Sequence, residues 1–208
     1  IFMNNYSSDE EKLISWFQEN YKNILLGIIL GLGIGFSYNY YNDTQSNTQF
    51  EISLKYEQAI TAYNNNEDNL ILALSDELTK EYPTNTYTTM SNLYAAKIYY
   101  INGNLEKSKN KLRQIIDNQN DKDLKSIATI RLARLLISEG KYNDAEIMIK
   151  KHGNHNTNLL SIELLGDISL AKNQLVQAKS YYMKLLNEDL PPNKIKIIKN
   201  KISLINEQ

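Results

Sequence analysis

The sequence predicts an all-α protein, with a single N-terminal transmembrane helix followed by a solenoid of helical repeats. Eight glycines and three prolines punctuate 208 residues, too few for an all-β chain that turns every ten residues or so. One short window holds four of those glycines and no polar side chain, from Ile24 to Phe36. After it, the same turn-like pattern recurs at nearly constant spacing. The charge balance, 23 Lys plus Arg against 24 Asp plus Glu, argues against a nucleic-acid binder that works through a general basic surface. Without cysteine there is no disulfide framework, no thiolate nucleophile and no Cys-ligated metal. The abundance of Asn, Ile, Lys and Tyr reads as compositional bias, so runs such as Asn64-Asn65-Asn66 carry no functional weight.

Residues 1–22 read as an N-terminal cytoplasmic segment and 23–41 as the transmembrane helix. The apolar run alone rises about 20 Å at ~1.5 Å per residue; with its aromatic flanks it reaches the ~30 Å of a hydrocarbon layer. Trp16, Phe17 and Tyr21 would mark one headgroup level, Tyr38, Tyr40 and Tyr41 the other, with Lys22 snorkelling outward. A buried core helix would not carry four glycines, each costing about 1 kcal/mol relative to Ala. A cleaved signal peptide is disfavoured by the acidic residues ahead of the run and the tyrosines behind it. Gly31-x-Gly33-x-Gly35 lacks the preceding strand and the lysine of a phosphate loop. Lys12 and Lys22 precede the span and the next basic residue is Lys55, so the N-terminus is expected in the cytoplasm and the C-terminal domain in the periplasm of a bacterium. Met3, behind Ile1 and Phe2, is a candidate start. Gly27, Gly31 and Gly35 form a tandem G-x-x-x-G stripe that would let another membrane helix approach closely.

After a polar linker, 42–48, the turns Gly103-Asn104-Leu105, Gly140-Lys141-Tyr142 and Asn173-Gln174-Leu175 lie 37 and 33 residues apart, bracketing the ~34-residue period of tetratricopeptide repeats. Seven residues before each turn stands a small residue, Ala96, Ala133 or Gly166, and five after it another, Ser108, Ala145 or Ala178. Paired small residues are what two antiparallel helices need where their axes come closest. An earlier pair, Gln49 to Tyr82, broken over Asn64 to Asp68 and closed by Pro83, reads as a degenerate first repeat. The repeat domain is thus expected over 49–190. Residues 191–208 form a capping helix, started by Pro191-Pro192, with Ile195, Ile198, Ile202 and Ile205 on one face and its lysines solvated.

Catalytic chemistry is not legible. The two histidines sit in His152-Gly153-Asn154-His155 without helical spacing or a third ligand, so no metal site and no cofactor are expected. No nucleophile-elbow, Walker-type or EF-hand pattern occurs, and the protein reads as a non-enzyme. Helical repeats of this kind bind extended peptides or partner helices on the face lined by the first helix of each pair. By repeat position that partner-binding groove is lined by Lys97 and Tyr100, Arg134 and Ile137, and Asp167 and Leu170. Lys97 and Arg134 are equivalent positions and could together hold a carboxylate or an acidic peptide. Tyr99 with Leu93 is either a further contact surface or core.

The chain resembles the bacterial YfgM family. The resemblance covers nearly its full length, most specifically Leu54-Lys55-Tyr56-Glu57-Gln58-Ala59-Ile60, Asp123-Leu124-Lys125-Ser126 running into Ile130-Arg131-Leu132-Ala133-Arg134-Leu135, Gly166-Asp167-Ile168-Ser169-Leu170, and Lys201-Ile202-Ser203-Leu204-Ile205. Asn173, where a Gly is common, and the richness in tyrosine depart from the family. The resemblance implies an ancillary subunit of the SecYEG translocon in the inner membrane, with a tetratricopeptide-like periplasmic domain. It further implies work alongside the chaperone PpiD, passing secreted client polypeptides to periplasmic chaperones. It carries over no catalytic residue. The alternative is a membrane-anchored scaffold for another cell-envelope complex, using the same groove.

Overall fold

The computed structural model describes residues 8–153 and 158–206. Among them the chain forms nine α-helices and no strand: α1 Ser8–Asn64, α2 Asp68–Glu81, α3 Thr86–Ile101, α4 Leu105–Asn118, α5 Lys122–Ser138, α6 Tyr142–His152, α7 Leu159–Ala171, α8 Leu175–Leu186 and α9 Pro192–Asn206. The chain divides into two units between Glu51 and Ile52.

The first unit holds the part of α1 that is apolar enough to cross a membrane by length and composition. None of its most apolar window is buried within the protein; Leu25, Ile28, Ile29, Leu32, Ile34 and Phe36 are all exposed. In water each would forgo roughly 1.5–3 kcal/mol of burial, and a hydrocarbon layer removes that cost. The segment 42–48, expected as a linker, is helical, because nothing in it breaks a helix. It contains neither Gly nor Pro, and Thr44 and Thr48 donate their hydroxyls to the carbonyls four residues back, Tyr40 and Thr44, both at 2.8 Å.

The second unit is built on one turn used four times. Gly103, Gly140 and Asn173 take the left-handed conformation that the sequence assigns them, with φ of 74°, 72° and 59°, and Asn66 joins them at 60°. At each turn the left-handed residue donates its N–H to the carbonyl three residues back, and the next residue donates to the carbonyl five back. The pairs are Asn66 to Tyr63 and Glu67 to Ala62, Gly103 to Tyr100 and Asn104 to Tyr99, Gly140 to Ile137 and Lys141 to Leu136, and Asn173 to Leu170 and Gln174 to Ser169. This is the Schellman closure, which satisfies carbonyls that a helix end leaves unpaired. The Asn66 turn makes the last turns of α1 and all of α2 a first pair of the same kind. Ala59, seven residues before Asn66, is fully buried, as Ala96, Ala133 and Gly166 are in theirs.

The close approach at that position is measurable in the last pair. A Cβ on Gly166 would lie 2.5 Å from Cε1 of Tyr182, which is fully buried on α8. Tyr182 stands 16 residues after Gly166, as Leu112 follows Ala96 and Ile149 follows Ala133. The larger ring on one helix is thus matched by the loss of the methyl on the other. The tyrosine is also anchored at its far end, where its hydroxyl donates to Asp167 Oδ1 at 2.7 Å; burial first, then this carboxylate, pushes the phenol well above its usual range.

First helices of successive pairs run parallel. Tyr56 meets Tyr87 and Tyr63 meets Tyr94, with ring centroids 5.1 and 4.7 Å apart, both pairs offset by the same 31 residues. A continuous apolar core runs through α3 to α7, from Leu93 and Ala96 through Leu112, Leu132 and Ala133 to Leu165 and Ile168. Leu93 therefore belongs to the core. A second cluster joins α7, α8 and α9 through Ile162, Tyr182, Leu185, Ile198 and Ile205, so the apolar face expected of the capping helix is the one it buries.

Between pairs, lysines do the joining. Lys111 of α4, buried, reaches Ser75 and Asp76 of α2 and Asn92 of α3 at 2.8, 2.7 and 3.0 Å; burial pushes its ammonium down and Asp76 partly restores it. Three glutamates each hold two lysines: Glu139 holds Lys109 and Lys141, Glu146 holds Lys150 and Lys172, and Glu163 holds Lys194 and Lys201. Lys194 and Lys201 were expected to be solvated. They turn inward instead, because α9 lies beside the acidic residues of α7.

Two outcomes follow. Gly166→Ala should destabilise the protein by about 1–3 kcal/mol, the usual cost of overpacking. Combined with Tyr182→Leu, which recreates the Ala/Leu pairing of the earlier unit, it should cost less than the sum of the two single changes in a thermal-melt double-mutant cycle; strict additivity would refute the close-approach account. The second concerns pH. Lys109 and Lys141 hold Glu139 below the usual carboxylate range, and Lys150 and Lys172 do the same for Glu146. Burial pushes Glu163 up, but Lys194 and Lys201 outweigh it and the net shift is downward. A carboxylate depressed in the folded state stabilises above its unfolded pKa, roughly 4.3, and that stability is lost as pH falls through the folded value. Melting temperature should therefore drop on acidification below about pH 4.5. It should drop less in the Glu139→Gln, Glu146→Gln, Glu163→Gln triple variant, which starts lower.

Candidate partner-binding groove

The six residues assigned to the groove from their repeat positions do not share one surface. Lys97, Tyr100 and Arg134 do: they line a single pocket of about 470 Å³ between α3 and α5. All three are exposed at its rim. Ile137 instead packs on the central core and Leu170 on the C-terminal cluster, each partly buried. Asp167 accepts from the Tyr182 hydroxyl and pairs with Lys201 at 2.6 Å, so its charge is spent on tying α7 to α8 and α9.

The pocket is made by the spacing of the parallel helices α3 and α5, with α4 behind them. Its floor is apolar or small: Ala96 of α3, Ser108 and Leu112 of α4, and Leu135 of α5. Ser108 itself is satisfied, donating to the Ala96 carbonyl at 2.8 Å, so the floor presents no unpaired polar atom from this residue. Above it stand Lys97, Arg131 and Arg134, three cations, while no carboxylate is among the lining residues. Lys97 leans toward α1, donating to the Tyr63 hydroxyl with its ammonium 5.1 Å from that ring's centroid. Arg131 lies across from α5 to α3, its Nη1 at 3.5 Å from the Leu93 carbonyl, a long and weak contact. The Arg134 side chain makes no hydrogen bond or ion pair with any of the described residues.

Arg131 was not among the residues assigned from sequence. The signal is present, since it precedes Arg134 by three residues and so shares its helix face. The glycine stripe lies in the other unit. Gly27, Gly31 and Gly35 have no atom within 4 Å of a would-be Cβ, so this side of α1 is open.

His152 ends α6 and is half-buried, and burial, then Lys151 and Lys125, hold its imidazole below the usual range; His155 lies outside the described residues. Among the described residues no group of three or more His, Cys, Asp or Glu side chains converges. The buried carbonyl of Gly153 accepts from the hydroxyls of Ser126 and Ser161, so this corner is a structural link between α5 and α7.

Comparison with known proteins agrees with this architecture. A protein of Escherichia coli K12 is 26% identical over 199 residues, covering 96% of each chain. One of Aggregatibacter actinomycetemcomitans is 28% identical over 184 residues, 86% of this chain and 89% of the relative. One of Buchnera aphidicola from Acyrthosiphon pisum is 28% identical over 191 residues, 90% and 96%. Each bears the name ancillary SecYEG translocon subunit, and these matches bear out the resemblance drawn from the sequence. The family model described as a tetratricopeptide repeat-like domain matches residues 14–207, spanning the apolar helix, the four turns and the cap, and the chain belongs to that family.

Proposed function

We propose that this chain is a non-enzymatic ancillary subunit of a bacterial SecYEG translocon, anchored in the inner membrane by one helix. Its N-terminus faces the cytoplasm and its repeat domain the periplasm. There it works with a PpiD-like chaperone to pass emerging polypeptides onward. The observation that carries this reading is the extent of the match. The Escherichia coli relative aligns over 96% of both chains, so the apolar helix and the repeat domain occur together in a protein named for its channel. The geometry supports a binding role: a repeat scaffold with an open groove and a helix with an uncovered small-residue face offers two contact surfaces.

The groove between α3 and α5 is the surface proposed for the polypeptide or chaperone, through Lys97, Tyr100 and Arg134; Ile137, Asp167 and Leu170, engaged in core packing and in the contacts with Tyr182 and Lys201, are left out of it. The Gly27, Gly31 and Gly35 side of α1 is proposed for the channel's membrane helices, since small residues let helix backbones approach in lipid. Residues 1–22, 23–41, 42–48, 49–190 and 191–208 then serve as cytoplasmic tail, span, helical connection, repeat domain and cap.

Photoreactive residues in place of Gly31 and Arg134, in native membranes, test both surfaces. Channel subunits captured at position 31, with a chaperone or nascent secreted chains at 134, are the expected result. Reproducible capture of unrelated envelope proteins at 134, with no secretion component at either site, would replace this reading with the envelope-scaffold alternative. Orientation is tested separately, because the chain has no cysteine and one introduced at exposed Asn143 is labelled without background. A membrane-impermeant maleimide should reach it once the outer membrane is opened; labelling only after inner-membrane lysis would reverse the topology.

A further inference from the structure

We infer that the α3/α5 pocket is a selective site for an acidic, aliphatic stretch of extended polypeptide, with a carboxylate held at Arg131 and Arg134 and an aliphatic side chain two residues along laid on the floor of Ala96, Leu112 and Leu135. This rests on the proposed groove and goes further, because it names the chemistry of what enters it.

Charge complementarity carries the argument. The chain as a whole is nearly neutral, with a formal net charge of −1, yet the pocket collects Lys97, Arg131 and Arg134 with no carboxylate in its lining. The half-buried and buried lysines that join the helix pairs, Lys55, Lys109, Lys111, Lys172, Lys194 and Lys201, sit in ion pairs. Neighbouring acids are committed elsewhere. Glu139, one residue past the end of α5, is held by Lys109 and Lys141. Asp167, the residue of the next pair equivalent to Arg134, is held by Lys201. The two guanidiniums stand one helical turn apart on α5, so one carboxylate can accept from both, or from either in a bidentate fork. A bare inorganic anion would use the cations alone. The floor is what an aliphatic side chain adds, and because every second side chain of an extended segment points to the same face, an acidic residue and an aliphatic one two positions on offer both at once.

The test is calorimetric binding of two amidated peptides to the full-length protein in detergent: Ala-Glu-Ser-Leu-Ser-Glu-Ala, whose Glu and Leu share one face when extended, and its counterpart with Gln in place of both Glu. The acidic peptide should bind, weakening as salt rises, and the Gln peptide should bind at least about fivefold more weakly. Arg134→Gln and Arg131→Gln should each weaken the acidic peptide by about the same factor, and Lys151→Gln, exposed on α6, should leave it unchanged. Equal binding of the two peptides, binding of neither, indifference to both arginine variants, or displacement of the peptide by equimolar phosphate would each overturn the inference. The salt titration and the peptide comparison use the unaltered protein, so a variant that misfolds does not spoil them. Co-purification of channel subunits is scored in the same preparation. If they co-purify and the peptides are not distinguished, the pocket chemistry fails and the translocon reading stands; if the peptides are distinguished and no channel subunit co-purifies, the reverse holds.

Discussion

Everything in the repeat domain depends on how closely two helix axes can approach seven residues before a left-handed turn. That position is Ala59, Ala96, Ala133 or Gly166, and the turn fixes where the second helix starts relative to it. With both ends of the geometry pinned, the facing side chain has one volume left to fill. Leu112 and Ile149 fill it beside Ala96 and Ala133 and Tyr182 beside Gly166, while the first pair sets the small, buried Ser75 beside Ala59. In the last three pairs, the swap at Gly166 and Tyr182 trades volume lost on one helix against volume gained on the other. It also lets the last pair place a phenolic hydroxyl at the surface of the core, where Asp167 receives it.

That local closure leaves the interfaces between pairs free to be polar, and they are. Lysine stems cross from one pair to the next while their ammonium groups find carboxylates or amide oxygens. A buried lysine such as Lys111 is tolerable only because Ser75, Asp76 and Asn92 converge on it. The consequence for the groove is indirect. Each acid drawn into an inter-pair bridge is one that does not face the inner surface, so a nearly neutral chain can present a cationic pocket between α3 and α5.

The fold was largely legible because its signals are local. Gly103, Gly140 and Asn173 declare their turns through backbone sterics alone, and the small residues around them sit at fixed offsets. The first pair was harder to see. Its turn residue, Asn66, lies in an asparagine run that composition explains equally well, and Ala59 falls inside a helix that begins more than fifty residues earlier. The helical state of 42–48 was obscured because polar residues read as loop, although hydroxyl-to-backbone bonds let threonine sit in a helix. The groove was legible in part. Repeat position identified Lys97, Tyr100 and Arg134, but which inner-face residues stay available depends on tertiary partners. Asp167 is claimed by Tyr182 and Lys201, residues 15 and 34 positions away, and no periodicity announces that.

A groove of this kind need not bind tightly to matter. Its arginines are exposed, and exposed charge pairs contribute no more than about 1 kcal/mol each, so a short acidic segment alone would be held weakly. On the proposed reading, the chain and the channel share one membrane, and the second contact becomes effectively intramolecular once the first is made. Weak, salt-sensitive recognition is then an advantage: it captures a passing segment at the high local concentration beside the channel and releases it when the segment moves away.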